Sequence, residues 1–203
     1  MHTVTAAVIG ASGYSGLELT RILSRHPRVR LAAVTSDRWA GERVSARLPL
    51  DGPVGALAYL PLADSHAVDA EVAFLATPAE VSLELAPRLL DRGIQVVDLS
   101  GAFRLLDLAA YPPWYGFAHT APQWVAEARY GLPELGREAL RGARLVTNPG
   151  CYATSIALAV APLVRSGLCG AEGIRVTGLS GVSGAGRKRS EERRVGKECI
   201  AVC

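Results

Sequence analysis

The residue best suited to covalent chemistry is Cys151, in the segment Asn-Pro-Gly-Cys-Tyr-Ala-Thr-Ser at positions 148–155. An apolar strand is predicted to end at Val146, proline and glycine break it, and residues 156–164 have the spacing of a packed helix. A thiol at a helix start lies near the positive end of the helix dipole and near unpaired backbone N–H groups, and both favour the thiolate. The segment makes Cys151 a candidate nucleophile, although its position alone favours a small buried hydrophobic side chain.

A glycine-rich turn follows the first apolar run and leads directly into a segment with helical spacing. Strand, turn and helix in this order predict a site for a dinucleotide, with its pyrophosphate at the helix N-terminus. Gly10 would permit the tight turn, Gly13 would let the backbone approach the pyrophosphate, and Gly16 would let the helix lie close to the sheet. An ordinary strand-to-helix turn is the alternative. The candidate cofactor residues here are Gly10, Ala11, Ser12, Gly13, Tyr14, Ser15 and Gly16.

The end of the second predicted strand, residues 30–34, bears on the type of dinucleotide. Ser36, Asp37 and Arg38 follow this strand. An acid at this position usually binds the ribose 2′-hydroxyl of NAD, whereas a serine and an arginine suit the additional phosphate of NADP. The residues alone leave that choice open, and a solvated loop is the alternative for Ser36 and Arg38.

Apolar strands and amphipathic helices alternate along the chain, which predicts an α/β fold with a doubly wound parallel sheet of the Rossmann type. Further strands are predicted at residues 72–76 and 94–99, with a helix over residues 81–90 between them. Loops at the carboxyl ends of such strands face the ligand cleft. This placement adds Thr77 and Pro78 to the candidate cofactor residues.

Two segments interrupt the alternation. Residues 39–68 predict only a weakly determined helix or hairpin insertion. Residues 111–131 are rich in aromatic side chains and prolines, which favours an irregular segment packed against the sheet over a loop covering the cleft. His119, in this segment, is a candidate base for Cys151, but a hydrogen-bonded structural role is favoured.

A second glycine-serine loop follows the cysteine helix. Residues 174–179 predict a further strand, and Ser183 and Gly184 lie in the loop after it. The loop could supply backbone donors to an oxyanion or to a nicotinamide amide, and a flexible linker is the alternative.

The composition excludes several functional classes. The 203 residues are 49% hydrophobic with a formal charge of +3, which suits a globular core. Basic residues are scattered except in residues 189–203, so neither nucleic acid nor a membrane is an expected partner. Without a secretion signal or an apolar run of membrane length, we expect a cytoplasmic protein. The four cysteines form no Cys-x-x-Cys pair, which predicts free thiols and no metal site.

Five motifs together resemble N-acetyl-gamma-glutamyl-phosphate reductase of arginine biosynthesis, over about residues 4–188. They are Gly-Ala-Ser-Gly-Tyr-Ser-Gly at 10–16, Asp-Leu-Ser-Gly-Ala-Phe-Arg-Leu at 98–105, Tyr-Gly-Leu-Pro-Glu at 130–134, Asn-Pro-Gly-Cys-Tyr-Ala-Thr at 148–154, and Ser-Gly-Val-Ser-Gly-Ala-Gly-Arg at 180–187. Five motifs in the family's order are far more specific than any one of them.

The resemblance implies a cofactor, NADP, and a small acyl-phosphate substrate. It places Ser36 and Arg38 near the 2′-phosphate, Ser183 and Gly184 near the nicotinamide, and Cys151 as the catalytic nucleophile. Arg104 and Asn148 become candidates for contacts with a substrate carboxylate or phosphate. The thiolate would displace phosphate to give a thioester, which hydride then reduces. Full-length members of the family are expected to form homo-oligomers.

The resemblance stops after Lys188, where the family continues into an α+β catalytic domain with a histidine acid/base. We therefore expect a Rossmann-type NADP-binding domain over residues 1–147 and a truncated start of the catalytic domain over residues 148–188, with little or no activity. Residues 189–203 resemble the translation of a sequencing adapter, which suggests a tail that is not native. Rival hypotheses are a related reductase of lysine biosynthesis, an aspartate-semialdehyde dehydrogenase, and a non-catalytic NADP-binding or scaffolding protein.

Overall fold

The computed structural model describes residues 2–187, and the strands in that part of the chain form one parallel sheet. They are β1 (Val4–Ile9), β2 (Val29–Thr35), β3 (Tyr59–Leu60), β4 (Val72–Leu75), β5 (Gln95–Asp98), β6 (Arg129–Tyr130) and β7 (Leu145–Thr147). The spatial order is β3-β2-β1-β4-β5-β7-β6, and every pair of neighbours is parallel. This is the doubly wound Rossmann-type sheet that the alternating pattern predicts.

Helices lie between these strands and after the last of them. They are α1 (Tyr14–Ser24), α2 (Gly52–Ala56), α3 (Ala79–Asp91), α4 (Tyr111–Tyr115), α5 (Pro122–Glu127), α6 (Pro133–Gly136) and α7 (Cys151–Arg165). None of the helices within residues 2–187 combines the length and apolar character that a membrane crossing requires.

The sheet separates two hydrophobic cores. Ala6 and Val8 of β1 pack with Leu23 of α1 on one face. Ala7 and Ile9 pack on the other face, with α3. Because successive side chains of a strand point to opposite faces, an apolar run such as β1 is stable only when helices cover both faces.

The two segments that interrupt the pattern are folded onto the sheet. Residues 39–68 contain α2, the short edge strand β3 and short 3-10 helices. The aromatic segment contributes Trp124 and Val125 to the core on the α3 face. The predicted packing of residues 111–131 against the sheet is confirmed, but the segment is not irregular, because it contains α4, α5 and β6.

The prediction of a strand at residues 174–179 is wrong. These residues have no regular secondary structure, and Val176 and Leu179 are 52% and 95% exposed. An apolar run becomes a strand only where a neighbouring strand can pair with it, and within residues 2–187 the sheet ends at β3 and β6.

Helix α7 differs from α1 and α3 in its packing. It begins at Cys151, as the proline-glycine break predicts, but none of its fifteen residues is buried. The helix therefore lies outside the two cores of the sheet.

Candidate active site

The backbone just before Cys151 is hydrogen-bonded to the carboxyl end of β5, a strand inside the sheet. The Asn148 N–H donates to the Asp98 carbonyl, at 2.8 Å, directly after β7 ends. Gly150 precedes α7, and its carbonyl accepts from the Thr154 N–H at 2.9 Å and from the Thr154 hydroxyl at 3.0 Å. Cys151 is the first residue of the helix, is exposed, and carries a free thiol. Within the described part of the chain no side chain caps this helix N-terminus, so its N–H groups can bind an anion.

Arg104 ties two loops of the site together. Its Nε donates to the Asn148 carbonyl at 2.6 Å, and its Nη2 donates to the Leu99 carbonyl at 2.8 Å. A Cβ built on Gly150 would lie 3.5 Å from Nη1, so this edge of the guanidinium lies beside the residue that precedes the cysteine. Arg104 thus positions the turn that carries Cys151 and places positive charge next to it.

Asp98 begins the motif at residues 98–105, and the structure makes it the centre of a polar network. Its buried carboxylate accepts from the Ser100 N–H at 3.0 Å and from the Ser100 hydroxyl at 2.8 Å. Burial raises the pKa of this carboxyl, while hydrogen bonds from Ser100 and Ser82 and the charge of Arg104 oppose the rise. The signal available in the sequence is an acid that ends an apolar strand.

Asn148, the second predicted substrate contact, lies against the Tyr-Gly-Leu-Pro-Glu motif. A Cβ on Gly131 would come within 2.9 Å of the Asn148 Oδ1, and the Gly131 N–H donates to the Thr147 carbonyl at 2.8 Å. The Thr147 hydroxyl is buried and has no hydrogen-bond partner within residues 2–187. The motif therefore shapes the backbone on the other side of the cysteine turn.

The glycine-rich turn has the local geometry that the pattern predicts. Gly10 has a φ of +85°, in the left-handed region that glycine adopts readily. A Cβ on Gly16 would lie 2.4 Å from the Gly10 carbonyl oxygen, so only glycine lets α1 lie this close to the turn. Gly13 precedes α1, which has neither a side-chain cap nor an acid in its first turn.

Thr77 and Pro78 lie beside this turn. The Thr77 methyl carbon would be 3.0 Å from a Cβ on Gly10, and its hydroxyl is within 2.8 Å of the Ser82 hydroxyl. Pro78 is exposed and directly precedes α3. The structure thus brings the loops after β1 and β4 together at one sheet edge.

The residues after β2 have structural partners. Ser36 is buried, and its hydroxyl accepts from the Trp39 N–H at 3.3 Å. An oxygen of Asp37 accepts from the Leu62 N–H at 2.7 Å. The Asp37 carboxylate and the Ser36 hydroxyl therefore shape the turn, while Arg38 is exposed at the strand end.

Ser183 and Gly184 are exposed and lie in the 3-10 helix Val182–Ala185. Arg187, close behind it, places its guanidinium carbon 5.2 Å from the ring centroids of both Tyr14 and Trp39. The structure thus joins the end of this loop to the glycine-rich turn, a contact that no local sequence pattern indicates.

His119 has the hydrogen-bonded role that the sequence favours. Its Nε2 lies 2.9 Å from the Ala102 carbonyl and its Nδ1 accepts from the Ala121 N–H at 3.2 Å, which together require the neutral tautomer protonated at Nε2. Burial lowers the pKa of this imidazole, which also favours the neutral form. Within the described part of the chain, no group of three or more His, Cys, Asp or Glu side chains is arranged to hold a metal ion.

The fold and the site define a class, a dinucleotide-binding α/β protein with an exposed cysteine at a helix start. The chain belongs to the semialdehyde dehydrogenase family, because residues 5–143 match its NAD binding domain. This membership indicates a nicotinamide cofactor. A second match, to the family's dimerisation domain, covers residues 151–199 and suggests an oligomer. It includes part of the segment 189–203, for which the sequence suggested a foreign origin and which lies outside the described residues.

Curated relatives carry a more specific name. The N-acetyl-gamma-glutamyl-phosphate reductase of Laribacter hongkongensis is 45% identical over 186 residues, covering 91% of this chain and 54% of the relative. That of Alkalilimnicola ehrlichii is 46% identical over 185 residues, with the same coverage of 91% and 54%. The chain thus spans about half the length of the curated relatives it matches.

Solved structures support the fold. Aspartate semialdehyde dehydrogenase II from Vibrio cholerae has a TM-score of 0.72 at 22% identity, covering 96% of this chain and 51% of that one. A probable aspartate-semialdehyde dehydrogenase from Pseudomonas aeruginosa has a TM-score of 0.58 at 25% identity, covering 81% and 43%.

Proposed function

We propose that this chain carries the cofactor site and the nucleophile of an NADPH-dependent reductase that converts N-acetyl-gamma-glutamyl phosphate to N-acetylglutamate semialdehyde and phosphate. The observation that carries the proposal is the exposed Cys151 thiol at the uncapped start of α7, beside Arg104. Relatives of that name at 45% and 46% identity support the choice of substrate.

The glycine-rich turn fits a dinucleotide. Gly16 and Gly10 are explained by contacts within the protein, but Gly13 is not. A Cβ on Gly13 would meet protein atoms only at 3.7 Å and 4.0 Å, which is ordinary contact, and its φ of −69° suits any residue. A glycine at this position leaves room for a pyrophosphate to approach the backbone, and the free N–H groups of α1 can bind its charge.

NADP is the proposed form of the cofactor. Arg38 is exposed at the end of β2, where an arginine accommodates a 2′-phosphate. The Asp37 carboxylate, which would bind the 2′-hydroxyl of NAD, already accepts from the Leu62 N–H. Ser183 and Gly184 are proposed to contact the nicotinamide end.

Cys151 is proposed to act as the catalytic residue through its thiolate. The sulfur attacks the acyl carbon of the substrate, the bond from that carbon to the phosphate oxygen breaks, and phosphate leaves with the electron pair. Bound NADPH supplies the hydride that reduces the resulting thioester. The C–S bond then breaks, which releases the aldehyde and restores the thiolate. The helix start and Arg104 favour the anionic sulfur both when it attacks the substrate and when it is released from the product.

Arg104 and Asn148 are proposed to hold the anionic substrate. Arg104 uses Nε and Nη2 on main-chain carbonyls, which leaves Nη1 facing the cysteine turn for a phosphate or carboxylate. Because a guanidinium fixed in this way keeps its orientation, little ordering is required when substrate binds.

The proposed division of the chain follows the packing. Residues 1–147 end with β7 and form the NADP-binding domain, and residues 148–188 begin the catalytic domain with α7, which contributes no buried residue. We propose a homo-oligomer for the whole protein, supported by the match to a dimerisation domain. Cys151 and Cys169 are both free, which supports a reducing compartment such as the cytoplasm.

The acylation half of this chemistry can be tested on the chain itself. Incubation with N-acetyl-gamma-glutamyl phosphate should release one phosphate per chain and leave an N-acetylglutamyl thioester on Cys151, detected by mass spectrometry of peptides. Cys151→Ser should abolish the thioester. Cys169→Ser should leave it unchanged, because Cys169 is also exposed but follows the end of α7.

The outcomes separate the rival functions. Faster acylation by an aminoadipyl or aspartyl phosphate would assign a different substrate. Cofactor binding without any acylation of Cys151 would point to a non-catalytic NADP-binding protein and reject the enzyme proposal.

A further inference from the structure

Two arginines lie against the same buried ring at the end of β2. Trp39, 6% exposed, has the guanidinium carbons of Arg47 and Arg187 each 5.2 Å from its ring centroid. Tyr59 packs on the same ring, with the centroids 5.3 Å apart. The tryptophan is therefore a platform that holds two cations beside the residues that follow β2.

The two arginines differ in how their charge is used. Arg47 forms a two-point ion pair with Glu42, with its Nε 2.7 Å and its Nη2 2.8 Å from the carboxylate oxygens. Arg187 is half-buried, and none of the ion pairs within residues 2–187 joins it to a carboxylate. Its guanidinium could pair with a bound anion, as that of Arg47 does with the Glu42 carboxylate.

Arg187 bridges two elements that a dinucleotide must touch. Its guanidinium lies over Tyr14, the first residue of α1, as well as over Trp39, which follows β2. In this fold the pyrophosphate binds at the start of the first helix and the adenosine ribose lies at the end of the second strand. The gap that Arg187 spans is the gap between these two positions.

A buried hydroxyl without a partner lies in the same cluster. The Tyr59 phenol is buried and has no hydrogen-bond partner in the described chain. Burial raises the pKa of this phenol, and the charges of Arg47 and Arg187 partly oppose the rise. Buried polar atoms are normally paired, so an unpaired hydroxyl in the cluster that holds the Arg187 guanidinium points to a site for a polar ligand.

We infer that Arg187 is a specificity-determining residue that binds the 2′-phosphate of NADP together with Arg38. The inference rests on the proposed function, because it assumes that the glycine-rich turn binds the dinucleotide. It adds that selection of NADP over NAD depends on the loop that follows α7, and not only on the residues after β2. Binding of the 2′-phosphate would then also fix the position of Ser183 and Gly184.

The test compares ligands that differ only in the 2′-phosphate. NADPH and NADH are titrated by fluorescence, and adenosine 2′,5′-bisphosphate and 5′-AMP compete against them. Arg187→Ala should weaken NADPH and the bisphosphate by roughly tenfold or more, the loss typical of a hydrogen bond to a charged group. NADH and 5′-AMP should change by less than about twofold. Arg187→Lys should be intermediate, because lysine keeps the charge but not the planar fork.

The matched control removes the other cation on the same ring. The double variant Glu42→Gln/Arg47→Gln removes an ion pair whose net charge is zero. It should therefore keep the preference for NADPH. Arg187→Gln, checked for folding by circular dichroism, replaces the alanine variant if that one unfolds.

Each result decides between the inference and the proposed function. Equal weakening of NADPH and NADH in Arg187→Ala, no weakening at all, or an equal loss of preference in the double variant would overturn the inference alone. If the wild-type chain binds neither dinucleotide, the proposed function fails and the inference fails with it.

Discussion

At the scale of single residues, two glycines of the nucleotide turn should have different roles. Gly16 is needed for the stability of the fold, and Gly13 is needed for binding of the cofactor. Gly16→Ala would place a methyl group 2.4 Å from the Gly10 carbonyl oxygen, so it should destabilise the fold by about 1–3 kcal/mol. Gly13→Ala meets only ordinary contacts and should keep the wild-type stability, while NADPH affinity falls at least about tenfold because the backbone can no longer approach the pyrophosphate. Urea unfolding and NADPH titration measure the two effects.

Gly136→Ala is the control for both variants. A Cβ on Gly136 would meet no atom within 4 Å, so stability should change by less than about 0.5 kcal/mol. A Gly13→Ala variant that unfolds early but still binds NADPH would show that Gly13 is needed for packing instead.

The two free cysteines test the effect of helix position on thiol reactivity. Both are exposed, but Cys151 begins α7 whereas Cys169 follows its end. The uncapped N–H groups at the start of α7 therefore lie beside Cys151, whereas Cys169 lies beyond the last turn of the helix. Cys151 should therefore react with iodoacetamide at pH 7 faster than Cys169, because these N–H groups stabilise negative charge at the reacting sulfur.

Single-cysteine variants measure this difference. Rates are followed by mass spectrometry in Cys169→Ser and Cys151→Ser, so that each chain presents one of the two thiols. Equal rates would mean that neither the helix start nor Arg104 activates Cys151.

At the scale of elements, hydrogen bonds between β1 and the residue before β4 should make the stability of the fold depend on pH. The Glu71 carboxylate precedes β4 and accepts from the Thr5 N–H at 2.7 Å, from the Thr5 hydroxyl at 3.1 Å and from His2. These bonds lower the pKa of Glu71 from 4.5 to about 2. A carboxyl with a lowered pKa stabilises the fold above its unfolded pKa, and this contribution disappears as the pH falls from about 4.5 to about 2.

Glu71→Gln should therefore be less stable than wild type at pH 7, and the difference should shrink below about pH 4.5. Thr5→Val keeps the backbone donor and removes only the hydroxyl, so it should show a smaller effect of the same sign. Thermal unfolding at several pH values provides the comparison. A gap between wild type and Glu71→Gln that stays constant down to pH 2 would contradict this account.

The elements were predictable where one local signal decided them. β1 is a continuous apolar run and α3 has strong helical spacing, so each followed from its own residues. The strand expected at residues 174–179 did not form, because a strand also needs a neighbour that no local pattern supplies. β6 was missed for a related reason, since two exposed residues become a strand only by pairing with β7.

The same contrast holds for the site: features set by one local segment were predictable, and contacts between distant segments were not. The proline-glycine break placed Cys151 at a helix start, and the glycine spacing placed the nucleotide turn. The contacts of Arg187 with Tyr14 and Trp39, and of Arg104 with the Asn148 carbonyl, join segments far apart in the chain. Such contacts depend on how the loops meet at the sheet edge and leave no periodic signal in the sequence.

At the scale of the whole molecule, the sheet and the segment after α7 should differ in resistance to protease. Residues 170–181 are exposed and have no regular secondary structure, whereas Arg30 lies within β2 and Arg144 donates to the Leu90 carbonyl at 2.8 Å. Brief trypsin treatment should therefore cleave after Arg175 before it cleaves after Arg30 or Arg144, because cleavage requires exposed backbone that can be drawn into the protease. The fragment that ends at Arg175 should keep a cooperative unfolding transition, since both hydrophobic cores lie before α7. Mass spectrometry identifies the first cut, and thermal circular dichroism tests the fragment. First cuts inside the sheet, or loss of cooperative unfolding after the cut at Arg175, would mean that the segment after α7 is part of the folding unit and would move the proposed domain boundary.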